Sequence, residues 1–242
     1  MAAATHAIVG ATGAVGRAIA QRVVKRGGVP LLIGRSADKL DALAKEHGNA
    51  PILVADCAEP ESIAEAFKGA DADMSSIAAY AYCAGSITLK PVRRASLADF
   101  REAFDLNTLS AVEVLKAIEK PLKKNKGACV LFSTIAVQQG LPNHAVVSAA
   151  KGAVEGLTRA LAAEYAPKVR VNAIAPSISE SAMAAPMLGK EAMAQALAKA
   201  HPLQRTGVGD DSAALASFLL SDDAGWITGQ IIGVDGGRHA VA

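Results

Sequence analysis

Short apolar runs alternate along this chain with longer stretches whose apolar residues recur at helical spacing. His6–Val9, Pro30–Ile33, Pro51–Ala55, Ile77–Cys83, Ala128–Phe132, Val169–Ile174 and Ile231–Val234 read as strands. Helical patterns fall between them, at roughly 15–26, 37–47, 60–68, 97–121, 145–165 and 210–221. The strands lack the polar alternation of a one-sided sheet, so both of their faces are expected to be buried, as in a parallel sheet joined by crossover helices. The expected class is α/β: a Rossmann-type, doubly wound three-layer sandwich around a seven-stranded parallel sheet. No linker divides the chain, which predicts one nucleotide-binding domain over 1–242. The stretch 177–208 breaks the rhythm. It is rich in Ala and Met, with a short helix expected near 189–200, and an insertion at this place suits a lid over a substrate pocket. Its Met183, Met187 and Met193 suggest an apolar, adaptable wall.

Composition narrows the function. Of 242 residues, 51% are hydrophobic, enough for a large core. With 25 Lys and Arg against 23 Asp and Glu, the net charge of +2 gives no electrostatic footprint for nucleic acid or an anionic membrane, so neither is expected as a partner. Cys57, Cys83 and Cys129 stand far apart and are odd in number; they fit neither a disulfide framework nor a metal site, and they suit a reducing compartment. Met1–Thr5 shows no signal-peptide pattern and no apolar run is long enough to span a bilayer, so a cytoplasmic protein is expected.

The first strand runs into Gly10-Ala11-Thr12-Gly13-Ala14-Val15-Gly16, where a helix begins. Glycines in that context permit a tight turn and the close approach of backbone to a pyrophosphate at the helix N-terminus. Gly10, Thr12, Gly13, Val15 and Gly16 are therefore candidate cofactor contacts. The second strand ends in Gly34-Arg35-Ser36. No acidic side chain stands there to accept from a ribose 2′-OH, whereas Arg35 and Ser36 suit a 2′-phosphate, which predicts NADP(H) in preference to NAD(H). Asp56, closing the third strand, is placed to meet the adenine; its alternative reading is a loop cap.

These residues carry a resemblance. The chain resembles the short-chain dehydrogenase/reductase family, in its single-domain form, over essentially its whole length. Tyr82-Cys83-Ala84-Gly85 sits where that family has Asn-Asn-Ala-Gly. Asn107 matches its helix-borne Asn, and Arg170–Pro176 matches the segment leading to its Pro-Gly turn. Phe218–Asp223, Ile227–Gln230 and Val234-Asp235-Gly236-Gly237 match its carboxyl-terminal signature. The resemblance implies reversible hydride transfer between a nicotinamide and a small carbonyl or alcohol substrate, in a homodimer or homotetramer. It adds Cys57, Ala84, Gly85, Lys151, Pro176, Ser177 and Ile178 to the cofactor contacts. It implies a hydroxyl that orients the carbonyl, here Thr134 with Ser133 before it, and a Lys that binds the ribose, here Lys151. It also implies Asn107 in the proton path and a Tyr four residues before the Lys.

That Tyr is absent. Val147 stands there, on the same helix face as Lys151, and the chain's three tyrosines, Tyr80, Tyr82 and Tyr165, lie elsewhere. Ser177 replaces the Gly of the Pro-Gly turn, and Ala14 the middle Gly of the loop. Two readings follow. In the first, the chain is an oxidoreductase with an altered proton relay, in which Lys151 acts directly or through water and His144, three residues before Val147, serves as donor. In the second it is a catalytically silent member, a nucleotide-binding protein or the non-catalytic subunit of a hetero-oligomer.

Overall fold

Each expected apolar run becomes a strand in the computed structural model, which describes residues 4–70 and 72–241. Most of the Met1–Thr5 stretch read for a targeting signal lies outside the described residues, as do Asp71 and Ala242. The strands are β1 (Thr5–Val9), β2 (Val29–Gly34), β3 (Ile52–Val54), β4 (Ile77–Tyr82), β5 (Ala128–Phe132), β6 (Arg170–Pro176) and β7 (Ile231–Val234). All pair in parallel, in the order β3-β2-β1-β4-β5-β6-β7. The chain steps outward from β1 to β3, returns to β4 beside β1, then steps outward the other way. That reversal, between β1 and β4, is the topological switch point at the carboxyl edge of the sheet.

The helices are α1 (Ala14–Lys25), α2 (Ala37–Glu46), α3 (Ile63–Lys68), α4 (Leu97–Phe104), α5 (Ser110–Lys124), α6 (Ala145–Tyr165), α7 (Ala185–Leu188), α8 (Glu191–Lys199) and α9 (Gly209–Leu219). Successive strand residues face opposite layers. Ile8, Leu32 and Val130 pack beneath Ile19, Leu40 and Ala216 of α1, α2 and α9. Ala7, Val9, Ile33 and Val171 pack beneath Phe67, Val114, Ile118 and Val154 of α3, α5 and α6.

The helix expected over 97–121 is not continuous. A π turn, Asp105–Leu109, separates α4 from α5. Its cause lies in Asn107, whose side-chain amide donates to the Ala103 carbonyl at 2.8 Å. That carbonyl is the one the regular α-helical N–H of residue 107 takes, so the turn widens by one residue. Nor does Pro121 end α5. The helix runs on to Lys124, where Lys123 and Lys124 suit its C-terminal dipole and Gly127 N–H closes it on Leu122 O at 2.9 Å. The pattern at 60–68 opens with a tight 3₁₀ turn, Pro60–Ser62.

In the 177–208 excursion, the expected helix is α8, preceded by the single turn α7. A parallel bridge between Ser179 and Gly207 pins the two ends together. Met183 and Met193 are exposed rather than tucked beneath it. Trp226, the one tryptophan, stands on the loop between α9 and β7 and is 99% exposed.

Candidate active site

The glycine loop is shaped by main-chain contact. Gly10 has a positive φ of 74°, and a Cβ there would lie 2.8 Å from the Ala84 nitrogen. A Cβ on Gly16 would lie 2.3 Å from the Gly10 carbonyl oxygen. The loops after β1 and β4 therefore touch backbone to backbone, bringing Ala84 and Gly85 beside Gly10. Gly13 is the N-cap of α1; no side chain caps that end and no acidic residue stands in its first turn. The end is thus open to an anion, with Thr12 and Val15 half-buried beside it.

At the end of β2, Arg35 is exposed, and Ser36 caps α2 without using its hydroxyl for the cap. Asp56 is partly committed elsewhere, since its Oδ1 accepts from Ala58 N–H at 2.9 Å, the cap expected as the alternative. Cys57 is buried, and burial pushes its thiol pKa up. Its carbonyl accepts from Ser110 Oγ at 2.6 Å, tying the β3 loop to α5.

Asn107 and Lys151 converge on Gly85. A Cβ at Gly85 would lie 2.6 Å from Asn107 Oδ1 and 3.2 Å from Lys151 Nζ. The π turn buries Asn107 completely, with Oδ1 accepting from Ser86 N–H at 3.2 Å and Nδ2 within 3.3 Å of Ser86 Oγ. Lys151, on α6, is 7% exposed and donates to the Phe132 carbonyl at 2.8 Å. Burial, the largest cause, brings its pKa down to about 8.

One turn earlier on α6, Val147 is buried beside this group. No tyrosine replaces it. Tyr80 and Tyr82 are buried and donate to the carbonyls of Ala111 (2.9 Å) and Leu106 (2.6 Å). Tyr165 closes the far end of α6, about 20 Å from Lys151 at 1.5 Å per residue. Thr134 is half-buried just past β5, where its Oγ1 accepts from Ala136 N–H at 3.3 Å. Ser133 faces the other way: its hydroxyl donates to Glu155 Oε1 at 2.8 Å, beneath α6.

His144 is the N-cap of α6, one residue before the helix, which begins at Ala145 as expected. Its Nδ1 is 2.7 Å from the Pro142 carbonyl, which can only accept, so Nδ1 carries a proton and Nε2 is left available. Pro176 closes β6 opposite Val234, and Ser177 N–H donates to the Val234 carbonyl at 3.2 Å. Ile178 follows, half-buried. Ser86, Glu155 and His201, which contacts Ser177, escape sequence reasoning because each is joined to its partner only by the fold.

A family model described as enoyl-(acyl carrier protein) reductase matches residues 10–239. A short-chain type dehydrogenase/reductase from Mycobacterium ulcerans superposes with a TM-score of 0.88 at 28% identity, covering 98% of this chain and 90% of that one. The chain belongs to the short-chain dehydrogenase/reductase family. The family is one of oxidoreductases, and two relatives from Xanthobacter autotrophicus are dehydrogenases by name. The chain is 33% identical to 2-(S)-hydroxypropyl-CoM dehydrogenase 3 of Xanthobacter autotrophicus, over 97% of this chain and 96% of that protein. It is also 33% identical to the same organism's inactive 2-(S)-hydroxypropyl-CoM dehydrogenase 2, over 92% and 100%. A protein from Beutenbergia cavernae, named as an NAD(P)-dependent gluconate 5-dehydrogenase and holding NADP at low occupancy, superposes with a TM-score of 0.88 at 30% identity, covering 98% and 97%. Among the described residues of this family member, no three His, Cys, Asp or Glu side chains gather in a way that could hold a metal ion. No helix among them is long and apolar enough to cross a membrane.

Proposed function

We propose that this protein is an NADP(H)-dependent oxidoreductase that moves hydride between the nicotinamide and a small carbonyl or alcohol, through a proton relay without tyrosine. The observation that carries the proposal is the convergence of Asn107 and Lys151 on Gly85, at the carboxyl end of β4 beside the glycine loop. The cradle fits the cofactor, because Gly10 and Gly16 leave no room for side chains and the first turn of α1 is uncapped. The NADP held by the Beutenbergia cavernae protein supports the same choice.

In this reading the first turn of α1, with Gly10, Thr12, Gly13, Val15 and Gly16, holds the pyrophosphate. Arg35 and Ser36 meet the 2′-phosphate, Asp56 and Cys57 flank the adenine, and Ala84 and Gly85 line the ribose. Pro176, Ser177 and Ile178 border the nicotinamide. Bound NADP(H) supplies or takes the hydride. As a carbonyl is reduced, its oxygen gains negative charge that must be stabilised and protonated. Thr134 orients that oxygen with its hydroxyl. Lys151 places a cation nearby and, with its pKa brought down to about 8, exchanges a proton close to neutral pH. His144 Nε2 accepts or returns a proton, while the Pro142 carbonyl fixes the ring. Val147 leaves an apolar wall where the family's phenol stands. The 177–208 segment closes over the substrate, and the chain works in the cytoplasm as a homodimer or homotetramer.

A second reading, a catalytically silent nucleotide-binding subunit, is favoured by one observation, the relative named as inactive. NADPH oxidation against a panel of aldehydes, ketones and diketones decides between them. The oxidoreductase reading expects turnover, lowered about a hundredfold or more in Lys151→Ala and raised in Val147→Tyr. NADPH binding without turnover on any substrate establishes the silent reading. NADH bound as tightly as NADPH removes the role of Arg35, and an unchanged pH–rate profile in His144→Ala removes His144 as the donor.

A further inference from the structure

A second group of reactive side chains lies across β6, on its β7 side. His201 follows α8 and is 2% exposed. Its Nδ1 lies 2.6 Å from the Leu197 carbonyl and its Nε2 lies 2.8 Å from Ser177 Oγ. A carbonyl oxygen can only accept, so in the neutral ring Nδ1 carries the proton and Nε2 is the base that accepts from the Ser177 hydroxyl. Leu197 belongs to the last turn of α8, whose carbonyl end bears partial negative charge. The helix end therefore does for this imidazole what a carboxylate does in a hydrolase triad: it fixes the tautomer and stabilises the ring when it gains a proton.

Ser177 sits on the turn leaving β6, half-buried. It lines a cavity of about 350 Å³ together with Ile178, His201, Arg205 and the Gly233–Gly237 turn, within the size range of small-ligand sites. The main-chain N–H groups of Ile178, the residue after the serine, and of Ser179 have no acceptor among the described residues, whereas that of Ser177 donates to Val234. A free N–H beside a nucleophile is what a developing oxyanion needs.

We propose that Ser177 and His201 form a second reactive centre, which takes acyl groups from small esters or thioesters. Ser177 Oγ forms a bond to the acyl carbon as its proton passes to His201 Nε2. The carbonyl oxygen takes the charge against Ile178 N–H. The bond to the leaving alcohol or thiol then breaks, and the leaving group departs with the proton held on His201. Water, with His201 again as base, releases the acid and restores the serine. The centre uses none of Asn107, Thr134 and Lys151, but it shares Ser177 and Ile178 with the proposed nicotinamide border, so the two functions compete for the turn leaving β6.

The test is covalent labelling. The purified chain is treated with a fluorophosphonate and the modified peptide is located by mass spectrometry, alongside p-nitrophenyl acetate hydrolysis. The expected result is near-stoichiometric label on Ser177, none in Ser177→Ala, and labelling slowed tenfold or more in His201→Gln. Lys151→Ala serves as a variant of the other site, in which Ser177 labelling is expected to persist. Circular dichroism confirms that each variant is folded; should His201→Gln unfold, His201→Asn, which also lacks the base at the Nε2 position, replaces it. No label on Ser177 in the folded wild-type chain overturns the proposal. So does equal labelling in a folded His201→Gln, because the serine would then owe nothing to the histidine.

Discussion

Lys151 carries its amine into a place where water is scarce, and the cost is measurable. In the native chain it loses its proton near pH 8, and in the unfolded chain near 10.4. Between those values the unfolded state holds more protons, so this residue's contribution to stability rises with pH across that window. Below pH 8 it is a constant penalty. Lys151→Met is therefore expected to stabilise the fold at pH 7 by roughly 1–3 kcal/mol, with the gain shrinking toward pH 10, as read by urea unfolding at both pH values; a loss of stability at pH 7 contradicts the assignment. The lysine was legible in the sequence because its signal is local, a spacing within one helix. Ser133–Glu155 and Ser177–His201 were not, since their partners lie 22 and 24 residues apart and meet only through packing. Ser133 and Thr134 look interchangeable as letters. The strand's alternation decides that the first points under α6 and the second leaves at the strand end.

At the scale of elements, the same residue type carries opposite costs. Gly16 opens α1 against the Gly10 carbonyl, and a methyl group there meets main chain that cannot move aside. Gly16→Ala is expected to cost about 2 kcal/mol or more and to weaken NADPH binding. Gly156 lies exposed in the middle of α6 with nothing within 4 Å of a Cβ. Gly156→Ala is expected to add about 0.5–1 kcal/mol, and parallel thermal melts of the two variants should move in opposite directions. The strands were readable nearly to the residue because parallel, doubly buried runs are apolar throughout. The break between α4 and α5 was not, because a π turn keeps the apolar face and only inserts a residue. Its cause, one side-chain amide replacing a main-chain N–H at Ala103, leaves no periodic trace.

Across the whole molecule, the candidate reactive groups gather at the carboxyl edge of the sheet, and a titration costly to stability sits at the opposite edge. His6, at the start of β1, has a buried Nδ1 without a partner among the described residues. Burial first, then nearby Arg26, lowers its pKa to about 4. The unfolded chain binds this proton near 6.5, so stability falls as pH drops from 6.5 toward 4, by about 3 kcal/mol in all. His6→Leu is expected to flatten that fall in chemical denaturation between pH 7 and 4; an unchanged slope would show that other groups govern acid sensitivity. The doubly wound order was legible from the pace of strands and helices, whereas the layer each helix joins was fixed only by the sheet it covers. Trp226 gives the molecule an optical property of its own. Being the one tryptophan and 99% exposed, it emits as an indole bathed in water while the chain is folded. Melting the core therefore leaves its emission almost unmoved, while a second copy seated on the loop between α9 and β7 shifts it to the blue. Fluorescence followed through dilution thus reads out company at that corner of the protein, while the unfolding of a lone chain leaves it almost unchanged.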